Sequence, residues 1–352
     1  MDPLTVLITG SGAPGIKGTI FSLENNWDKR DIRIVGTDIK EEVIGTYICD
    51  RYYQISKPNT NEYLNQLLEI CDTESVSVIL PQNTAELSVL ANNKRLFEKQ
   101  GVSITLSNPH AIDIANNKDE LLRCADRLGI PIPVSYLVNT SEKLMEYATR
   151  LGWPNKSIVV KPPESNGMRG VRIIDESVDL KTKFYSEKPS SLYTNMETLI
   201  RILGDAFPDL MVMEYLPGTE YTIDLLMNDE TNVIVPRRRD VISSGITFQG
   251  TTENNQELID SSNKLASEIG LTSAFGFQFK LDYNGVPKLL ESNPRIQGTM
   301  VLSTFAGANI IYGAVKQALD EPIPEFNINW GTKIIRYWGG MGVYNKISAG
   351  ML

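Results

Sequence analysis

The segment Phe275–Arg295 spaces oxygen-bearing side chains in a way that suits a hard cation. Asn284-Gly285 is the pair preferred in a two-residue type I′ hairpin turn. It predicts two antiparallel strands in which Tyr283 faces Val286 and Gln278 faces Glu291. Opposed residues hold their Cβ atoms about 5 Å apart, and Asn293 shares the face of Glu291 by the two-residue period of a strand. Two amides and a carboxylate on one face suit Mg²⁺, which takes a few protein oxygens and completes its shell with phosphate and water. From the hairpin alone a solvated outer face is the equal alternative, since Lys280 and Asp282 share the side of Gln278 and alternate with Phe277, Phe279 and Leu281. The ending Glu291-Ser-Asn-Pro-Arg295 favours the metal site, because Asn293-Pro294 stops the strand and launches Arg295 beside the oxygens.

Composition narrows the chemistry further. His110 is the only histidine, which excludes His-rich metal sites and HExxH. It stands in Ser107-Asn-Pro-His110, which reads as a turn, so it is expected to be structural or solvated. Cys49, Cys71 and Cys124 form no CxxC pair, so neither zinc nor a disulfide framework is indicated. The net charge of −9 argues against nucleic acid, which needs clustered Lys and Arg. In the longest basic run, Arg237 and Arg239 share one strand face. Either suits a substrate carboxylate, a solvated face being the alternative. No signal peptide opens the sequence and no apolar run reaches the ~18 to 20 residues of a membrane span, so a cytoplasmic protein that spans no membrane is expected.

These residues need elements to position them. Residues 1–113 alternate strand and helix, implying a doubly wound parallel sheet with helices on both faces: a strand at Leu4–Thr9, a helix near Ile16–Glu24, strands at Ile32–Asp38, Val76–Leu80 and Val102–Leu106. Between the first strand and helix, Gly10-Ser-Gly12-Ala-Pro-Gly15 fits GxGxxG, with Asp38 ending the next strand as a ribose-binding acid would. Pro14 and the long offset to Asp38 weigh against a dinucleotide. The turn's N–H groups at Gly10 and Gly12 are read as a cradle for a substrate carboxylate, with a merely structural turn as the alternative. Tyr312-Gly-Ala-Val-Lys316 mimics a YxxxK pair but falls too late in the chain for a short-chain dehydrogenase. Residues 114–210 read as a small lid, entered by a helix capped at Asn116 or Asn117 and stopped by Gly129. Residues 211–352 read as an α+β unit with helices near Gln256–Ile269 and Asn309–Leu319.

Glu291-Ser-Asn293-Pro-Arg295, preceded by Phe277-Gln278-Phe279, resembles the metal-binding end of ATP-grasp enzymes, and most of all the branch with the synthetase halves of carbamoyl phosphate synthase. Asn117-Lys118 with Gly129-Ile-Pro131-Ile-Pro133 resembles that family's lid entry, with Asn in place of the usual Asp. Val159-Val-Lys161-Pro with Gly167-Met-Arg169-Gly170-Val resembles its phosphate loop, and Val212-Met-Glu214-Tyr-Leu216-Pro-Gly218-Thr-Glu220 its adenine hinge. The motifs keep their order from about residue 4 to 320.

The resemblance implies an ATP-grasp fold, α/β and α+β, with ATP between the lid and the last domain. It implies that Lys118 and Lys161 reach the nucleotide phosphates, and that Gly167, Arg169 and Gly170 bring the loop to them. The main chain of Glu214 and Leu216 would hold adenine, and Glu220 the ribose. Gln278, Glu291 and Asn293 would hold one or two Mg²⁺, with Mn²⁺ as a substitute, and Arg295 would stabilise the transferring phosphoryl group. The implied activity is an ATP-dependent ligase joining a small-molecule carboxylate to an amine through an acyl phosphate, with room for a homo-oligomer. Carbamoyl-phosphate-synthase-like carboxyphosphate/carbamate phosphorylation, an NAD(P)-dependent oxidoreductase and a non-catalytic ATP-binding module are the rivals. With one ATP-grasp unit and no amidotransferase segment, a complete carbamoyl phosphate synthase is not expected.

Overall fold

The computed structural model describes residues 3–163, 170–186, 192–228, 230–243 and 245–351. Five short strands, β1 (Leu4–Ile8), β2 (Ile32–Asp38), β3 (Arg51–Gln54), β4 (Val78–Leu80) and β5 (Ser103–Ile104), form one sheet in the order β3-β2-β1-β4-β5, with every pair parallel. A parallel sheet is stable only with both faces covered, and β1 shows how the sequence meets this. Leu4, Val6 and Ile8 pack with the helix Ile16–Glu24, while Leu7 points the other way, into a core with Tyr63, Leu67 and Leu90. The chain order reverses between β1 and β4, where an open sheet of this kind leaves a crevice at its carboxyl edge.

Two capped helices lead out of this unit. Asn108 caps Pro109–Asn116 through the N–H of Ala111, and Asn117 caps Lys118–Arg127 through those of Asp119 and Glu120. The tetrapeptide Ser107–His110 is therefore a helix start, with Pro109 at the first position, where its missing N–H costs nothing. His110 lies exposed in the first turn.

The lid is a sheet in the order β6-β10-β7-β8-β9, built from β6 (Ser135–Thr140), β7 (Ile158–Lys161), β8 (Arg172–Ile174), β9 (Tyr193–Thr194) and β10 (Ala206–Glu214). Val138, Val160 and Val212 pack in its core against Leu144 and Ala148 of the helix Ser141–Arg150. The expected boundary at 210/211 thus cuts β10, which pairs with both β6 and β7. The boundary at 113/114 also shifts in effect, since Ala111, Leu121 and Ala125 pack in the core of the last unit rather than in the lid.

That last unit is a six-stranded antiparallel sheet, β15-β14-β11-β12-β13-β16, of β11 (Glu220–Met227), β12 (Asn232–Ser243), β13 (Ile246–Thr252), β14 (Ser273–Leu281), β15 (Pro287–Asn293) and β16 (Lys333–Ile335). Its alternation is clean. Tyr221, Ile223, Phe275, Phe277, Phe279 and Leu289 bury one face under the helices Lys118–Arg127 and Gln256–Ile269. The other face buries Leu226, Val235 and Ala274 against the helix Ile310–Ala318 at one end and turns polar at the other, where it forms the candidate site. A final hairpin, β17 (Met341–Tyr344) and β18 (Ile347–Met351), is largely exposed. Among the described residues no helix is long and apolar enough to cross a membrane.

Candidate functional site

Gln278 faces Glu291, and Gly276 faces Asn293. The turn that produces this register differs from the expected one. Leu281 pairs with Pro287, and Asp282 N donates to Val286 O at 2.9 Å, which closes a three-residue loop of Tyr283, Asn284 and Gly285. Only Gly285 has positive φ, at +81°, so the turn is not type I′. Asp282 is the cause: its Oδ1 accepts from Asn284 N at 2.8 Å and Val286 N at 3.0 Å, an Asx geometry that overrides the Asn-Gly preference. The register would then miss by one residue, but a bulge between the Gln278 and Phe279 pairs absorbs it. Bulges re-aim side chains in this way, and here one sets Gln278 against Glu291.

The polar face extends this row across four strands. Thr222 pairs with Gln278 on one side and Arg237 on the other. In the next row Glu220 faces Lys280, and Lys280 faces Lys288. Arg237 and Arg239 lie on this face, yet neither is a free clamp nor solvated. Arg237 is 1% exposed; its Nη2 donates to Asp224 Oδ1 at 2.7 Å and its Nε lies 2.6 Å from Oδ2. Ser303 donates to the same carboxylate at 2.6 Å. Arg239 pairs with Glu220, donates to Thr247 Oγ1 at 2.9 Å and Gly245 O at 2.6 Å, and reaches Gln278 Oε1 at 3.5 Å. Glu220 borders a cleft of about 390 Å³ lined also by Pro217, Gly218 and Thr219.

Three further elements converge on this face. Lys118 opens its helix and Lys161 ends β7. Burial, with the Lys118 ammonium alongside, pushes Lys161 down to about 7, while Glu291 pulls the other way. Two ammonium groups and the hairpin carboxylate therefore share one partly dehydrated space. Gly170 has φ +75° and packs on the Pro162 ring, where a Cβ would come within 2.6 Å of Cδ. Gly167 and Arg169 lie outside the described residues.

At the hinge, Glu214 N donates to Val134 O at 3.0 Å. The Glu214 carboxylate accepts from Val134 N at 2.7 Å and pairs with Lys288. Lys288 therefore ties the hinge to the strand bearing Glu291, a role the sequence did not suggest.

Arg295 Nε donates to Thr84 Oγ1 at 3.1 Å, Nη1 to Ile296 O at 2.9 Å and Nη2 to Asn293 Oδ1 at 3.3 Å. Burial works against its charge; Glu86 and Glu291 favour it. Glu86 is a second residue the sequence reading missed. Burial pushes its carboxyl up, against hydrogen bonds from Thr9, Tyr63 and the main chain of Asn83 and Gln82. Its signal was the capping-box spacing Asn83-x-x-Glu86.

The Gly-rich turn does not cradle an anion through Gly12. That N–H donates to Asp38 Oδ2 at 2.9 Å, so Asp38 holds the turn rather than a ribose. Ser11 N donates to Thr37 O and Ala13 N to Gly10 O, each at 2.9 Å. Gly10 supplies a φ of +59° for the bend, and Gly15 is needed because a Cβ would come within 2.4 Å of Gly298 Cα. Tyr312 and Lys316 do share a helix face, but Tyr312 donates to Asp28 at 2.8 Å while Lys316 pairs with Asp28 at 2.9 Å and Glu321 at 2.7 Å. They dock the helix.

The donor set fits a hard cation, with one carboxylate and two amide oxygens where Mg²⁺ expects phosphate to complete the shell. Among the described residues no group of three or more His, Cys, Asp or Glu offers a self-sufficient metal cage.

Comparison with known proteins agrees with this fold. Residues 206–334 match the family described as ATP-grasp in the biosynthetic pathway with Ter operon, and residues 6–105 match the PylC-like, N-terminal domain. The chain has the ATP-grasp fold, and it carries an ATP-grasp domain behind a PylC-like N-terminal domain. Its relatives include the arginine-specific carbamoyl phosphate synthase large chain of Bacillus subtilis, 23% identical over 80% of this chain and 26% of that one. The Clostridium perfringens carbamoyl phosphate synthase large chain is 24% identical over 88% and 28%. The chain spans only about a quarter of the length of these relatives. Among solved structures, an N5-carboxyaminoimidazole ribonucleotide synthetase with ADP superposes with a TM-score of 0.65 at 14% identity, covering 92% of this chain and 79% of that one. The biotin carboxylase domain dimer of Hydrogenobacter thermophilus 2-oxoglutarate carboxylase, with MgADP and bicarbonate, gives 0.66 at 18%, covering 93% and 72%.

Proposed function

We propose that this chain is an ATP- and Mg²⁺-dependent ligase that converts a small carboxylate to an acyl phosphate and passes the acyl group to an amine. The observation that carries the reading is the meeting of Lys118, Lys161 and Glu291 from three separate elements, with Lys161 held near 7 by burial and by Lys118. Two cations brought together in a dehydrated cleft repel each other, an arrangement that a polyanion between them relieves. Gln278, Glu291 and Asn293 would hold Mg²⁺, which when bound neutralises phosphate oxygens. Lys118 and Lys161 draw the transferring phosphate toward the substrate carboxylate, and Arg295, braced by Thr84 and Asn293, stabilises the charge that develops. Closure of the lid that carries Lys161 over the last sheet would exclude water from the acyl phosphate. The main chain of Glu214 and Leu216 and the carboxylate of Glu220 bind adenosine.

Relatives described with MgADP and bicarbonate include bicarbonate in the carboxylate class. Mn²⁺ as a substitute metal and a homodimer belong to the same reading. So does a cytoplasmic setting, which the free thiols of Cys49, Cys71 and Cys124 suit. A thermal-shift comparison tests the nucleotide class. Mg²⁺ with a non-hydrolysable ATP analogue raises the Tm by ligand linkage, whereas NAD⁺ and NADP⁺ leave it unchanged; an equal rise with NAD⁺ overturns the proposal.

A further inference from the structure

The chain leaving β15 crosses the polar face of the last sheet. Gln297 lies on Gly276, where a Cβ would come within 2.0 Å of its Nε2, and Ser303 reaches Asp224. Between them Gly298 rises to meet Gly15 of the Gly-rich turn, backbone against backbone. Arg336 follows β16, with its N–H donating to Phe248 O at 2.8 Å, and its side chain turns toward this contact. Nη2 donates to Gly298 O at 2.6 Å and lies 3.4 Å from Thr299 Oγ1, while Nε is buried without an acceptor. Among the described residues no carboxylate pairs with Arg336. Burial and the like charge of Arg237 both push its pKa down, and Arg237 already has Asp224.

A guanidinium does not shed its proton in a protein, and a half-buried charge without a counter-ion is costly. Arg295 reaches Thr84 in the turn after β4, and Gly298 reaches Gly15 at the start of the helix that follows β1. Both therefore border the crevice at the β1/β4 switch point, where ligands of such sheets bind. Resting on the ligase reading above, we infer that Arg336 anchors the carboxylate of the amine-bearing substrate, which makes the acceptor an α-amino acid rather than ammonia or a simple amine. With that carboxylate at Arg336, the amino group one carbon away would attack the carbonyl carbon of the acyl phosphate. Its nitrogen lone pair forms the C–N bond, the C–O bond to phosphorus breaks, inorganic phosphate leaves and the amine's surplus proton passes to solvent.

The test uses the full chain, wild type and Arg336→Met, with the twenty common α-amino acids and their carboxamides as probes, in the presence of Mg²⁺ and a non-hydrolysable ATP analogue. Thermal shift should show one or a few amino acids stabilising the wild type. Their carboxamides should fail to do so, and Arg336→Met should lose the response while keeping its shift with the nucleotide analogue. In turnover with the same amino acids, Arg336→Met should raise the acceptor KM at least about tenfold and leave the KM for ATP unchanged, with partial recovery in Arg336→Lys. Equal stabilisation by carboxamides, an unchanged response in Arg336→Met, or no amino acid stabilising the wild type each overturns the anchor. Stabilisation that depends on Arg336 without any ADP formation would sink the ligase reading while leaving the anchor standing.

Discussion

Nucleotide binding to this protein should take up a proton. Lys161 is held at about 7 by burial and by Lys118, so at pH 8 about nine-tenths of the free protein carries it neutral. Phosphate oxygens placed between the two lysines favour the ammonium form and return Lys161 toward its ordinary range of about 10.4. Each nucleotide bound at pH 8 should then draw about 0.9 proton from solution. The sign follows from the direction of the shift. The free folded state binds fewer protons than the nucleotide complex from about pH 7 upward, so affinity falls as pH rises through that window, by up to about tenfold per unit. Calorimetric titration with an Mg²⁺-bound ATP analogue at pH 8, in two buffers of different ionisation enthalpy, measures the uptake directly. Lys161→Met should abolish it. An uptake below about 0.1 proton, or one that persists in Lys161→Met, refutes the convergence of the two lysines on phosphate.

Two substitutions test the sheet. Arg237→Leu leaves Asp224 buried and unpaired, which should cost about 3 to 5 kcal/mol of stability, read by urea denaturation; a loss under about 1 kcal/mol would show that the pair is not desolvated. Gly285→Val meets a φ of +81°, strained for a β-branched residue, and should disturb the loop that Asp282 organises. Because the bulge beyond it resets the Gln278–Glu291 register, the expected effect is a loss of about 1 to 3 kcal/mol with the Mg²⁺ requirement retained. A variant that folds but no longer depends on Mg²⁺ would show that the turn itself sets the metal strand.

The pairing of Gln278 with Glu291 was legible in the sequence, though for a different physical reason than the one that operates. Asn284-Gly285 announced a hairpin, but side-chain acceptance by Asp282 and one extra residue on β15 together restored the same register. Two local deviations cancelled, which no pairwise turn preference reveals. The alternation that put Arg237 and Arg239 on one face was equally legible. Their partners were not, because Asp224 and Glu220 lie on a neighbouring strand whose register is settled only in three dimensions. The same limit hid Lys288 at the hinge, Glu86 beside Arg295, and the contact of Gly15 with Gly298, where the last glycine of the GxGxxG match serves backbone packing. The strand-helix alternation of the first unit, buried on both faces, came through almost intact, since periodicity alone encodes it.

The most direct test of the proposed chemistry follows an oxygen atom. The protein is incubated with Mg²⁺, ATP and an amine-bearing acceptor, together with carboxylates carrying ¹⁸O in the carboxyl group. ADP should form only with a productive pair, and the inorganic phosphate released should carry one ¹⁸O from the carboxylate, the mark of an acyl phosphate broken at its C–O bond. Formation of AMP and pyrophosphate, or phosphate free of label alongside amide product, would contradict it.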